Sequence, residues 1–92
     1  MRNQLFCTPA HNTAWNNRTT ARGRVTAPLA MVARITRNGT RGTPEAREAG
    51  RKASNLYNIL VQQHRDEDRA AGRMEWPEYM MRRFDIGFDP LT

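Results

Sequence analysis

The chain has 92 residues, one cysteine and a formal net charge of +6. A chain of this length predicts one small domain, residues 1–92, with a small core. No run of about 18 apolar residues is present, and the first residues lack the apolar segment of a secretory signal. The lone Cys7 excludes an internal disulfide and indicates a reducing compartment, so we expect the cytoplasm of the protein's own cell or of a host cell.

The charge is unevenly distributed along the chain. The first 44 residues hold seven arginines and no acidic residue, whereas the remaining 48 hold eight basic and nine acidic residues. Lys52 is the one lysine among fifteen basic residues. A guanidinium grips phosphate in a bidentate fashion, so this composition favours a polyanionic partner. A GC-rich genome also replaces lysine by arginine, but that does not explain the missing acids.

Residues 7–24 are polar, and Trp15 is their one large apolar side chain. A segment of this kind cannot bury a face of its own. We interpret it as an extended arm over residues 1–24 that contacts phosphates and bases, as a solvated loop anchored by Trp15, or as the polar edge of a sheet.

Residues 20–37 fit both a strand pair and a helix. Alternation with a period of two, together with several β-branched residues, favours two strands joined near Pro28. In the helical alternative Thr26 caps the helix, Pro28 lies in its first turn and Gly39 ends it. We favour the strands, which would bring Arg22, Arg24 and Arg34 onto one surface.

A long helix is predicted from Thr43 to about Ala71. Thr43 is a favourable N-cap, Pro44 suits the first turn and Gly72 stops the helix. The buried stripe is predicted from spacings of three and four. Its members are Ala46, Ala49, Ala53, Leu56, Tyr57 and Leu60. Small residues in its first half, including Gly50, predict close packing against the sheet or a second helix.

The tail predicts a short helix that begins at Pro77. An aromatic and methionine cluster lies on its apolar side, and it suits the core better than a binding face. The cluster consists of Trp76, Tyr79, Met80, Met81 and Phe84. The predicted fold class is therefore α+β, a small antiparallel hairpin or sheet from the N-terminal half packed on the long helix and the short one. The alternative is an all-α fold.

Catalytic and metal chemistry find little support in the sequence. Cys7 and His11 have a ligand-like spacing but lack further partners for zinc. The acidic neighbourhood of His64, Asp66–Asp68 and Glu75 is interleaved with arginines, which is typical of a solvated, salt-bridged helix end. We expect no enzyme activity, no metal and no cofactor.

The predicted binding residues are the arginines of the acid-free half, one aromatic that stacks on a base if it is exposed, and two arginines of the long helix. They are Arg18, Arg22, Arg24, Arg34, Arg37, Arg41, Trp15, Arg47 and Arg51. Arg47 and Arg51 enter through a helix–turn–helix interpretation, in which the helix after Pro44 reads a groove. Its turn, however, is longer than the usual three or four residues.

Three functions remain as hypotheses. The first is a small non-enzymatic binding protein that engages nucleic acid or a ribonucleoprotein complex. The second is an inhibitor of the kind phages and mobile elements carry, docked on a host nucleic-acid-handling complex such as a polymerase or a CRISPR effector. The third is a structural subunit of a particle. None of them needs a membrane, and the oligomeric state stays open.

Overall fold

The computed structural model describes residues 8–91, and within that range the chain forms three α-helices. They are α1 (Pro9–Ile35), α2 (Pro44–Ala70) and α3 (Trp76–Asp85). The described residues contain no strand, so the predicted α+β class is wrong and the all-α alternative is correct. None of these helices is both long and apolar enough to cross a membrane.

Helix α1 occupies the part of the chain predicted as an arm and two strands. The hydroxyl of Thr8 accepts a hydrogen bond from the backbone N–H of His11 at 3.1 Å, and Pro9 lies in the first turn. This is a regular N-cap, and it starts the helix well before Thr26. Residues 9–24 are therefore helical, whereas residues 1–7, including Cys7, lie outside the described range.

The strand prediction failed because a charged residue hides the helical pattern of α1. Trp15, Arg22, Thr26 and Ala33 lie on the side of α1 that meets α2, at spacings close to those of a helix face. Arg22 in the middle of that row looks polar in the sequence, and the β-branched residues around it favour strands. Thr26 donates its hydroxyl to the Arg22 carbonyl at 3.0 Å, which satisfies that polar group within the helix. Contact with α2 then outweighs the local preference.

Helices α1 and α2 form an antiparallel hairpin. At one end Thr36 lies against Gly50, and at the other Arg22 pairs with Asp68. The turn between the helices is organised by Thr36, whose carbonyl accepts from the N–H groups of Gly39, Thr40 and Arg41 at 2.8–3.2 Å. Because α2 runs back along α1 over its full length, the helix–turn–helix interpretation is wrong.

The predicted long helix is confirmed, with Thr43 as its N-cap and Ala71 as its C-cap. The predicted close packing in its first half is also present, and the neighbour is α1 with its turn. A Cβ on Gly50 would lie 2.7 Å from the Thr36 Cβ and 2.9 Å from the Gly39 N. Of the predicted stripe, Ala53 is buried and Ala49 and Leu56 are exposed, so the buried side is rotated relative to the prediction.

Helix α3 is confirmed as a short helix, beginning at Trp76 with Pro77 in its first turn. It is attached to the hairpin by aromatic side chains. The Trp15 ring lies 4.7 Å from the rings of both Trp76 and Tyr79, and those two rings are 5.2 Å apart. Trp15 and Tyr79 are buried, whereas Met81 and Phe84 remain exposed, so the predicted aromatic core is formed by one end of the cluster.

The molecule is thin and extended. Its principal extents are 51 × 34 × 18 Å and its radius of gyration is 16.0 Å, against about 12 Å expected for a compact chain of this length. No large side chain among the described residues is fully buried. The two long helices thus form a single layer that is covered only partly by α3.

Gly50 and Gly23 form a matched pair for testing the close approach of the helices. We expect Gly50→Ala to lower the free energy of unfolding by about 1–3 kcal/mol, because the added methyl has no space beside Thr36. Gly23 lies inside α1 with nothing within 4 Å of an added Cβ. Gly23→Ala should therefore raise the free energy of unfolding by about 0.5–1 kcal/mol. Urea unfolding followed by circular dichroism measures both; equal effects of the two changes would contradict the packing.

Candidate functional site

The predicted binding residues separate into two groups. Trp15, Arg18 and Arg22 face the interior of the fold, where Trp15 is buried and Arg22 pairs with Asp68. Trp15 is only 3% exposed and cannot stack on a base. Six other cationic side chains gather at the turn between α1 and α2. The inward group is a structural network, and the turn is the candidate binding site.

The inward network is centred on the Asp68 carboxylate near the end of α2. Arg22 Nη1 donates to Asp68 Oδ2 at 2.9 Å, and Arg73 Nη1 donates to Asp68 Oδ1 at 3.0 Å. The Trp76 indole N–H donates to Oδ2 at 3.1 Å. The second amino group of Arg22 binds Glu67 at 2.9 Å. One carboxylate therefore joins α1, α2 and the start of α3.

The network sets the charge state of its members. Burial opposes ionisation of Asp68, but hydrogen bonds from Arg22, Arg73 and Trp76 and the charge of Arg22 outweigh it, so the pKa of Asp68 is lowered. The hydrogen bond to Asp68 raises the pKa of Arg22 despite its burial. Both shifts favour the charged forms of Asp68 and Arg22, which suits a structural ion pair. The sequence interpretation of this region as a solvated helix end is wrong for Asp68.

Arg18 lies beside this network on the same side of α1. Its guanidinium carbon is 5.7 Å from the centre of the Trp15 ring, which fits a cation–π contact. Burial and the nearby charge of Arg73 lower its pKa, although a guanidinium remains charged. Arg18 is half-buried, so its most direct role is to cover Trp15.

The second group is the basic tip, which we define as the cationic residues between positions 34 and 52. They are Arg34, Arg37, Arg41, Arg47, Arg51 and Lys52. Glu45 and Glu48 are the acidic residues in the same range, so the tip has a net charge of +4. Five of the predicted arginines thus meet at one end of the hairpin, joined by Lys52.

The arginines of the tip are held to different degrees. Arg34, Arg37 and Arg41 are exposed, and none of the three makes a side-chain hydrogen bond or ion pair with another described residue. Arg47 donates to the Gly42 carbonyl at 2.7 Å, which fixes its side chain across the turn. Arg51 makes weaker contacts, 3.5 Å to the Gly39 carbonyl and 3.9 Å to Glu48. Three cations are therefore available to a partner at no cost in internal pairs.

The backbone of the turn holds these side chains apart and outward. Arg37 and Asn38 adopt left-handed φ angles of 48° and 58°, and Gly39 follows with φ of 92°. A Cβ on Gly39 would lie 2.8 Å from the Arg47 carbonyl oxygen, so a glycine is required where the turn crosses α2. Helix α2 begins beside this turn, and the positive end of its dipole adds to the potential. The combined field is favourable for phosphate or carboxylate groups.

Arg24 does not belong to either group. It is exposed on α1 and makes no side-chain contact with a described residue. It lies ten residues before Arg34, which is about 15 Å along a helix. The predicted alignment of Arg22, Arg24 and Arg34 on one surface is therefore wrong, because a helix distributes these positions around its axis.

Concave surfaces lie at both ends of the described hairpin. A shallow cleft of about 310 Å³ beside the tip is lined by Arg34, Asn38, Ser54, Tyr57 and Asn58, among others. A larger groove of about 540 Å³ lies between the helices at the other end, where Arg22, His64 and Trp76 contribute to its lining. Within residues 8–91 no group of three or more histidine, cysteine or acidic side chains is arranged to hold a metal. The ligand-like spacing of Cys7 and His11 lies partly outside the described residues.

In comparisons with known proteins, no family model, no curated protein and no solved structure matches the chain.

Replacement of Asp68 tests whether the network holds the fold together. Asp68→Asn leaves Arg22 largely buried with one weaker partner, and we expect a loss of about 3 kcal/mol in the free energy of unfolding. Asp85→Asn is the control, since Asp85 is exposed and its side chain bonds no other described residue. Its effect should stay below about 0.5 kcal/mol. Denaturant unfolding measures both, and equal losses would contradict a central role for Asp68.

The lowered pKa of Asp68 predicts a pH dependence with a definite sign. The folded state binds the Asp68 proton more weakly than the unfolded state does. Stability from this group is thus complete above about pH 4, the unfolded pKa, and is lost as the pH falls through the folded pKa. Unfolding curves recorded at descending pH should show this loss in the natural chain and a smaller one in Asp68→Asn. Parallel pH profiles would contradict it.

Proposed function

We propose that the protein is a small non-enzymatic binding protein that engages nucleic acid, free or within a ribonucleoprotein complex, through the basic tip. The observation that carries the proposal is the position of Arg34, Arg37 and Arg41, which are exposed at the end of α1 and on the turn that follows it. None of the three has an internal counter-charge among the described residues. Side chains of this kind neutralise phosphates and release counterions, which is the main source of affinity for nucleic acids.

The character of the tip favours contact with the phosphate backbone over reading of bases. Residues 34–52 contain no aromatic side chain, and Trp15, the aromatic predicted to stack on a base, is buried. Without stacking platforms, affinity comes from charge and depends little on base sequence. Arginine also presents planar donors that match phosphate oxygens.

The hairpin explains how a small domain presents these charges. Two long helices hold the tip at the far end from α3 and from the acidic groups around Asp68. Glu45 and Glu48 are the acids nearest in sequence, and Glu48 already lies 3.6 Å from Lys52. The positive potential of the tip is therefore separated from most of the negative charge of the chain.

A charge-matched pair of variants tests the proposal. Replacement of Arg34, Arg37 and Arg41 by glutamine should weaken binding to duplex and single-stranded nucleic acid, because it removes the three uncommitted cations. The slope of log K against log salt should flatten by roughly 2–3, the value for three phosphate contacts. Fluorescence anisotropy with labelled DNA and RNA across a salt series measures the slope.

The control removes the same charge at the other end of the molecule. Replacement of Arg65, Arg69 and Arg82 by glutamine lowers the net charge equally, and these side chains are exposed on α2 and α3. We expect this variant to retain most of the affinity and nearly the full salt slope. No binding by the natural chain at low salt, or equal loss in both variants, would falsify the proposal.

A further inference from the structure

Helix α1 carries a second apolar stripe that the hairpin does not cover. It runs at alternating spacings of four and three residues, the pattern of a helix that packs against another helix. Its members are Ala21, Val25, Pro28, Val32 and Ile35. Val25 is 54% exposed and Ile35 is 69% exposed. The stripe lies beside the row that contacts α2, so α1 is built to contact helices on two adjacent sides.

Helix α2 carries a shorter apolar patch on the same side of the hairpin, with the exposed Lys52 among its members. Leu56 and Ile59 are 51% and 53% exposed, and Ala49 precedes them by two turns. Gly23 of α1 and Val61 of α2 both line the large groove on one side of the hairpin. Val25 is two residues from Gly23, and Ile59 is two residues from Val61. Two residues correspond to about 200° around a helix, so Val25 and Ile59 point to the opposite side.

Together the stripe and the patch form the open face, which we define as the α1 stripe with Ala49, Leu56 and Ile59. The α1 stripe runs from Ala21 to Ile35, so the open face is about 20 Å long and roughly 20 Å wide, or about 400 Å². An exposed apolar patch of this size often marks an interaction site. The thickness of 18 Å also leaves the hairpin without a second layer, although domains bury their apolar faces between layers.

The charges along the edge of the open face indicate what covers it. Helix α1 contains no acidic residue, whereas α2 carries Glu48 and Asp66 on its outer edge beside the face. Since Arg22 pairs with Asp68, Arg24 lies level with Asp66 along the hairpin. A second copy related by a two-fold axis parallel to the helices brings its α2 against this α1 at the same level. Arg24, exposed and without a described partner, then meets Asp66 of the second copy.

We propose that the protein forms a homodimer in which two open faces pack together as an antiparallel four-helix bundle, with α1 of each copy against α2 of the other. This arrangement buries the apolar stripe and patch of both copies in one interface. It also places the two basic tips at the same end of the dimer, where Glu48 of each copy lies near the end of the other's α1. The inference does not depend on the proposed nucleic-acid binding.

The first test is the oligomeric state of the purified chain. Analytical ultracentrifugation from low to high micromolar concentration should show a dimer for the natural chain. Val25→Glu places a charge in the centre of the open face, and dimerisation should weaken about tenfold or more. Ala27→Glu is the matched control, because Ala27 is exposed on the same helix and lies two residues from Val25, about 200° around the helix axis. It should remain dimeric.

Circular dichroism distinguishes dissociation from unfolding. If Val25→Glu lowers the helix content of the monomer, the pair Ile59→Glu and Val61→Glu repeats the comparison on α2, where Val61 is 44% exposed on the other side. A natural chain that stays monomeric throughout the concentration range overturns the proposal. So does equal dimerisation of the face variants and their controls.

A charge exchange tests the orientation of the two copies. Arg24→Asp alone and Asp66→Arg alone should each weaken the dimer, because each creates a like-charge pair across the interface. The double variant restores the pair with reversed signs and should recover most of the affinity. If the double variant does not regain dimer affinity although Val25→Glu still weakens the dimer, the proposed pairing of α1 with α2 of the second copy is overturned.

Discussion

The Asp68 carboxylate, through its ion pair with Arg22 and its other hydrogen bonds, joins the three described helices. Asp68 receives Arg22 from α1, Arg73 from the α2–α3 connection and the indole N–H of Trp76 from the start of α3. An ionised carboxylate at 6% side-chain exposure is costly unless its oxygens are fully used. Three donors therefore hold the Asp68 carboxylate in place. The hydrogen bond to Trp76 also positions α3, so that Trp76 and Tyr79 both lie against Trp15. The hairpin and its short third helix depend on this one group.

The acid-free composition of the first 44 residues makes this dependence unavoidable. An arginine of α1 that enters the interior cannot pair within its own helix, because α1 contains no acid. Its counter-charge has to come from the back half of the chain, and Glu67 and Asp68 supply it to Arg22. The arginines outside the reach of those acids remain without internal partners, and several of them collect at the basic tip. Charge segregation thus shapes both the fold and the candidate binding surface.

The thinness of the structure gives the two surfaces of the hairpin different characters. Among the described residues, the core is limited to a few side chains such as Ala33, Ala53 and the Trp15–Tyr79 contact. A two-helix layer has too little interior to cover all of its apolar residues, so some of them stay exposed on the open face. The basic tip lies at one end of the hairpin, and the open face extends from that end along one side of both helices.

The sequence by itself determined the features that depend on neighbouring residues. The cap at Thr43, the proline at position 44, and the short helix at Pro77 could all be read from local chemistry. The uneven charge was also evident, and it singled out Arg34 and Arg41, which the structure leaves exposed at one end of the hairpin. Sequence reasoning missed the role of Asp68, although an acid-free half that contains arginines at helical spacing signals that pairing acids must lie elsewhere.

Only the tertiary structure decided the state of residues 9–35 and the direction of their arginines. The β-branched residues there favour strands in isolation, and contact with α2 together with the Thr8 cap makes them helical. Burial of Arg22 becomes favourable only when Asp68, 46 residues away, is in place. A pattern in sequence records which residues are polar, but it does not record which polar residue has a partner across the fold. That is why Trp15 and Arg22 looked like a binding surface and are instead part of the interior.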